Sequence, residues 1–309
     1  MRHGIRRRLA LAGTVLLAGS SAACGAYSGG ATETVTLAVP ERANPFFQEL
    51  RAGAEAAADT VGVRLEVVGA RNDAQRQARQ LRQAVRNGAE AVLVTPVAPD
   101  EAGSAVREVL DADIPVVAVD REVEGAPVQS TVTSDNVDGG MQAAHAVATA
   151  LDGQGQVIHL QGDPQTSVSV DRGAGFEQGI AQYAGIDLAT KQPAYFDRRE
   201  ARKVTTRLLR AYPDANAVFA ENDQMALGAI DALGDRAGTE VKVVGYDGIP
   251  AALEAIQEGT MAATVAQVPE QLGRVALEQA VTAIDGGAVA SRVPVGVELV
   301  TADNVGQYL

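Results

Sequence analysis

The chain of 309 residues carries 26 Lys and Arg against 39 Asp and Glu, a formal charge of -13 at neutral pH. A surface of that sign repels phosphate backbones, which argues against a DNA- or RNA-binding role. With 46% hydrophobic and 21% charged residues the balance is that of a globular protein, with room for one large α/β unit or two domains.

The first 24 residues read as a secretory signal. Arg2, Arg6, Arg7 and Arg8 precede the apolar run LALAGTVLLAG, which is too short to span a bilayer comfortably. The stretch ends in SSAAC, and Cys24 is the only cysteine in the chain. A lone cysteine after small residues resembles the bacterial lipobox, although Ser21 stands where that motif usually has Leu. Cys24 is therefore expected to be lipidated, with export as the outcome even if cleavage occurs at an ordinary small-residue site. Residues 25–33 follow as a flexible tether of small and polar residues.

From residue 34 onward, short apolar runs alternate with alanine-rich helical patterns. The runs are TVTLAV, VRLEVVGA, AVLVT, PVVAVD, QVIHLQ, AVFAEN, VKVVGYD and AATVAQ. Unbroken apolar runs suit strands buried on both faces, as in a parallel sheet covered by helices, so the fold class is α/β. The first helix is predicted from Asn44 as N-cap and Pro45 in the first turn, with Phe47, Leu50, Ala54, Ala57 and Val61 as one buried stripe. The second, NDAQRQARQLRQAVRNG, packs Leu81 and Val85 inward, leaves Arg76, Arg79, Arg82 and Arg86 on a solvated face and stops at Gly88. Further helical patterns cover 100–112, 138–151, 171–184, 199–212, 223–234, 250–258 and 269–285. So many βα units exceed one ordinary open sheet and fit two, with the first crossing expected near VTSDNVDGG.

In parallel α/β sheets, ligands bind in the crevice at the carboxyl ends of the strands. The residues just past the predicted strands are Asn44 with Phe46 and Phe47, then Asp120 and Arg121, Arg172 beyond the QGD loop, Asn222, Asp247 and Gln267. Carboxylates accept from vicinal hydroxyls, guanidinium groups donate to them, and carboxamides do one of each. Such a set suits a flat ring bearing many hydroxyls. Phe46 and Phe47, two of only five phenylalanines, could wall that ring or simply pack in the core. Asp120 and Asp247 could equally be cap or turn residues, and Arg172 a surface ion-pair partner.

The motifs ANPFFQELRAGAE, IPVVAVDRE, SDNVDGG, TSVSVDRGAGFEQGI, PAYFDRREA, AVFAENDQMALGAIDALG, VVGYDGIP and AATVAQVPEQLG occur in order between residues 34 and 300. Together they resemble the type I periplasmic sugar-binding proteins, and within them the ribose-binding branch. The resemblance implies two similar doubly wound lobes joined by three hinge strands, here 34–134 plus 268–296 and 135–267 plus 297–309. It implies a monosaccharide, ribose first and a related sugar such as allose or xylose as the alternative, held by Asn44, Phe46, Phe47, Asp120, Arg121, Arg172, Phe196, Asn222, Asp247 and Gln267, with Phe196 on the opposite wall. It also implies a monomer with no cofactor that delivers its sugar to a separate ABC permease and touches the membrane only through its lipid. Four positions beside the site depart from the family pattern: Ala43 for Asn, Val170 for Arg, Glu221 for Gln and Tyr246 for Phe. Glu221 adds a negative charge next to Asn222.

Two other functions are weighed against this one. A LacI-type repressor shares the fold but begins with a basic helix-turn-helix, where this chain has a signal sequence. An enzyme needs a nucleophile or an acid/base pair: His145 and His159 read as packed histidines, and Asp120 and Asp247 serve better as hydroxyl acceptors than as glycosidase carboxylates. DNVDGG lacks the spacing and final Glu of a calcium loop and reads as a helix cap, so no metal is expected.

Overall fold

The computed structural model describes residues 33–309; the expected signal peptide, Cys24 and all but the last residue of the expected tether lie outside them. Two six-stranded sheets organise the chain. The first runs in the order β11-β5-β4-β3-β1-β2, from β1 (Thr34–Val39), β2 (Arg64–Gly69), β3 (Ala91–Val94), β4 (Val116–Val119), β5 (Ser130–Ser134) and β11 (Arg292–Val295). All its pairings are parallel. The second runs in the order β12-β10-β9-β8-β6-β7, from β6 (Gly155–Gln161), β7 (Ile186–Pro193), β8 (Ala217–Ala220), β9 (Lys242–Asp247), β10 (Ala263–Ala266) and β12 (Glu298–Thr301). Only β12 is antiparallel to its neighbour there.

Helices cover both faces of each sheet, as parallel sheets require. On the first, α1 (Pro45–Val61) packs with α9 (Pro269–Ile284), and α2 (Ala74–Arg86) with α3 (Pro99–Leu110) on the opposite face. On the second, α4 (Asn136–Ala150) packs with α5 (Ser167–Ile180), opposite the layer of α6 (Arg198–Ala211), α7 (Asp223–Leu233) and α8 (Pro250–Gln257). The chain therefore passes between sheets at Asp135, between β10 and α9, and between β11 and β12.

The eight apolar runs all form strands. Four strands escaped the hydrophobic reading. SerThrValThrSer of β5 is wholly buried despite its hydroxyls, β7 is a half-exposed edge, and β11 and β12 are four-residue edge strands. Along α1 the stripe of Phe47, Leu50, Ala54 and Ala57 is buried, but Val61 is 48% exposed because the helix ends there against Gly62 in the left-handed conformation. His159 is fully buried as expected, whereas His145 lies on the outer face of α4, its Nδ1 2.9 Å from the Tyr183 hydroxyl. Among the described residues no helix is long and apolar enough to cross a membrane, and no cluster of side chains could hold a metal ion.

Candidate ligand-binding site

The carboxyl ends of the two sheets face one another across a narrow slot. Its lining comprises Asn44, Phe46, Phe47, Asp120, Arg121, Arg172, Phe196, Asn222, Asp247 and Gln267, every residue expected from the sequence, together with Val168. The slot, its open mouth included, holds about 310 Å³ of empty space. That is the small end of the range for ligand pockets and fits one small, thin molecule.

Each side chain reaches the slot through local structure. Asn44 caps α1, its Oδ1 accepting from the Phe46 amide at 3.0 Å, and Asn222 caps α7 by accepting from the Met225 amide at 3.0 Å. Each oxygen keeps a second lone pair, so a carboxamide that caps a helix can still both donate and accept in the slot. Phe46 and Phe47 meet edge to face with centroids 5.1 Å apart, and both belong to the α1–α9 core as well as to the slot wall. Asp120, Phe196 and Asp247 have φ of 69°, 59° and 123°, conformations costly for side chains with a Cβ. Strain of this kind concentrates where loops are held for function.

Charge in the slot is balanced, two carboxylates against two guanidinium groups. Arg121 Nε lies 3.6 Å from Asp120 Oδ2, and Arg172 Nη1 lies 3.6 Å from Asp247 Oδ1. Arg121 Nη1 donates to the Pro96 carbonyl at 3.3 Å, while its buried Nε has no hydrogen-bond partner among the described residues. Burial pushes the Asp120 and Asp247 carboxyls up from their ordinary value, with the neighbouring arginines pulling the other way. Gln267 is oriented by its neighbours: its Oε1 accepts from Ser134 Oγ at 2.7 Å, and its Nε2 donates to Asp247 Oδ1 at 2.7 Å. A ligand in the slot meets two asparagine carboxamides, guanidinium N–H groups and carboxylate oxygens.

Arg172 is the most constrained member. Its Nε donates to Asn136 Oδ1 at 2.8 Å, its Nη1 to the Glu221 carbonyl at 2.7 Å, and its guanidinium stacks on the Tyr246 ring 3.8 Å from the centroid. Asn136 is anchored in turn, donating to the Ser134 carbonyl at 3.1 Å and the Thr133 hydroxyl at 3.3 Å. Sequence reasoning did not single out Asn136, which acts through Arg172 and follows β5, a strand the apolar runs did not mark. Val168 was missed as well, though it sits four residues before Arg172 on the same helical face. Glu221 does not line the slot: its carboxylate is buried beneath it against His159, so the extra charge lies behind the site rather than in it.

Comparison with known proteins follows this geometry. Residues 35–288 match the periplasmic binding protein domain family. The chain is 38% identical over 270 residues to the ribose import binding protein RbsB of Escherichia coli (strain K12), covering 87% of this chain and 91% of the relative. Among solved structures it resembles an ABC transporter periplasmic solute binding protein from Actinobacillus succinogenes 130z with bound D-allose (TM-score 0.84, 29% identity, 90% of this chain and 100% of the other). It also resembles the Caulobacter myo-inositol binding protein bound to myo-inositol (TM-score 0.82, 32% identity, 89% and 95%). With a family match spanning most of its length, the chain belongs to the periplasmic binding protein domain family.

Proposed function

We propose that this protein is the extracytoplasmic, lipid-anchored solute-binding component of an ABC importer and that it captures a monosaccharide, D-ribose first, without transforming it. The observation that carries the reading is the slot itself: paired carboxylates, paired guanidinium groups, two asparagine carboxamides and three phenylalanine rings, drawn from both sheets around one thin space. Vicinal hydroxyls pair with the charged groups and C–H faces lie against the rings. Zero net charge among the four ionic groups favours a neutral ligand. The E. coli relative, named for ribose import, supports ribose, and the allose-bound relative supports an aldohexose as the second reading.

Capture works through two lobes, 34–134 plus 268–296 and 135–267 plus 297–309, hinged at the three crossings. A sugar that touches both lobes only when the slot is shut stabilises the closed form by its differential contacts. The closed monomer is what the permease reads, and the lipid on Cys24 keeps it at the membrane. A thermal-shift panel of ribose, allose, xylose and myo-inositol on the mature protein, followed by calorimetry, tests the reading. Saturable binding of one sugar at unit stoichiometry supports it; no shift with any sugar, or turnover of nitrophenyl glycosides, sinks it.

A further inference from the structure

Glu221 follows β8 directly and precedes Asn222, and its side chain is fully buried. Its Oε1 lies 2.8 Å from His159 Nε2. Its Oε2 accepts from the Gly162 amide at 2.7 Å and from the Ser169 hydroxyl. Its own carbonyl holds Arg172 Nη1. A carboxylate only accepts, so three donors from three segments converge on one dry charge: β6 through His159, the loop after β6 through Gly162, and α5 through Ser169.

Two of these tethers touch slot residues, and Glu221 itself adjoins a third. A Cβ built on Gly162 would lie 2.0 Å from Cζ of Phe196, so that ring rests directly on the Gly162 backbone. Ser169 lies three residues before Arg172 on α5, on the same helical face. Asn222 is the next residue in the chain. We infer that Glu221 is the positioning residue of the second lobe's wall: one buried carboxylate sets the floor under Phe196, the rotation of α5 that aims Arg172, and the start of α7 where Asn222 presents its carboxamide. His159, packed against the stacked rings of Phe176 and Phe219 with centroids 5.2 and 5.0 Å away, fixes the carboxylate from below. Replacing Glu221 by an apolar residue strands donors in a dry interior, and the segments that own them must move to find water or new partners.

This inference rests on the slot being the ligand site, and its test separates the two. D-ribose, or the strongest binder of the sugar panel, is titrated calorimetrically into wild type, Glu221→Leu, Ser169→Ala and Glu221→Gln. Val109→Ala, in the α2–α3 layer of the first lobe, controls for a general loss of stability. Glu221→Leu is expected to weaken binding by roughly tenfold or more and Ser169→Ala by roughly threefold. Glu221→Gln, whose carbonyl can still serve Gly162 and Ser169, restores affinity to within about threefold of wild type, and the control leaves it unchanged at a comparable Tm. Wild-type affinity in both Glu221→Leu and Ser169→Ala overturns the inference. If Glu221→Leu does not fold, the Ser169→Ala result decides. If wild type binds no sugar, the functional proposal fails, and the positioning role is read from ligand-free crystal structures of wild type and Ser169→Ala. Displacement of the Arg172 guanidinium or Phe196 ring by about 1 Å or more supports the role; both groups in their wild-type places refute it.

Discussion

The guanidinium of Arg121 lies over the ring of Phe196, its central carbon 5.2 Å from the ring centroid. Arg121 follows β4 of the first sheet and Phe196 follows β7 of the second, so this pair joins the sheets across the slot. A cation over an aromatic face is worth about 0.5–2 kcal/mol depending on its solvation. Phe196→Ala removes this contact and one wall together and is expected to lower sugar affinity roughly tenfold or more. Phe196→Leu, which keeps an apolar wall but no ring quadrupole, should lose less. Calorimetry of both variants checks the order.

Asp247 accepts from Gln267 and faces Arg172. Asp247→Ala leaves both donors without that acceptor and removes a hydroxyl partner from the slot. Affinity for ribose should fall at least about tenfold. An unchanged dissociation constant by calorimetry would count against the site.

Gly140 on α4 touches α5 so closely that a Cβ would lie 2.3 Å from the Arg172 carbonyl oxygen and 2.7 Å from the Phe176 amide nitrogen. Neither atom can yield without shifting α5. Gly140→Ala should cost about 1–3 kcal/mol of stability in urea unfolding and weaken binding through Arg172. A variant as stable as wild type would show that the helices separate more easily than their packing implies.

A cross-sheet ion pair flanks the slot. Arg292 of β11 pairs with Glu122 and reaches Asp171 Oδ2, beside Arg172, at 3.9 Å, while the Glu122 amide donates to Ser167 Oγ at 3.0 Å. All three charged side chains are partly exposed, so the pairing should be modest and salt-sensitive. Arg292→Ala is expected to raise the open fraction in ligand-free solution scattering and to reduce affinity by less than about fivefold. The variant should also lose part of the salt dependence of wild-type binding; an identical dependence rules the pairing out as a bias on closure.

Asp223 accepts from the Gly248 and Ile249 amides at 2.7 and 2.9 Å and from the Thr264 hydroxyl at 2.7 Å, holding the loop that follows Asp247. Burial nevertheless pushes its carboxyl from 3.8 up to about 7. Between those values the folded protein keeps a proton that the unfolded chain has released. Stability contributed by this group is therefore greatest below the lower value and falls as pH rises toward the upper one, by up to about 1.4 kcal/mol per pH unit. Asp223→Asn, whose carbonyl can accept both amides while its NH2 faces Thr264, should flatten that slope. Urea unfolding at several pH values from 4.5 to 7.5 measures it, and an unaltered slope would mean that another group carries the proton.

Legibility from sequence followed exposure and polarity. Strands buried on both faces left unbroken apolar runs, and the positions after them pointed to nine of the slot residues; Phe196 came from family likeness, since the mixed, half-exposed β7 left no such run. Strand β5 was invisible because its side chains are hydroxyls, buried at a cost met partly by partners: Thr133 donates to the Asp120 carbonyl at 2.9 Å and Ser134 to Gln267. The Phe46 and Phe47 ambiguity dissolves in three dimensions, because both rings are core and wall at once. Tyr246 was placed beside the site by family likeness, but Asn136 and Val168 were not legible in the order of residues: their place depends on how α4 and α5 meet around Arg172.

The two asparagines that begin helices α1 and α7 with their oxygens also line the slot. Anyone retuning this protein for a new analyte inherits that dual duty. Serine or aspartate at either position would preserve the helix start yet erase a donor or add a repelling charge, and alanine would forfeit both. Selectivity is best redesigned at Val168 or Phe196, where a side chain can change without unseating a helix.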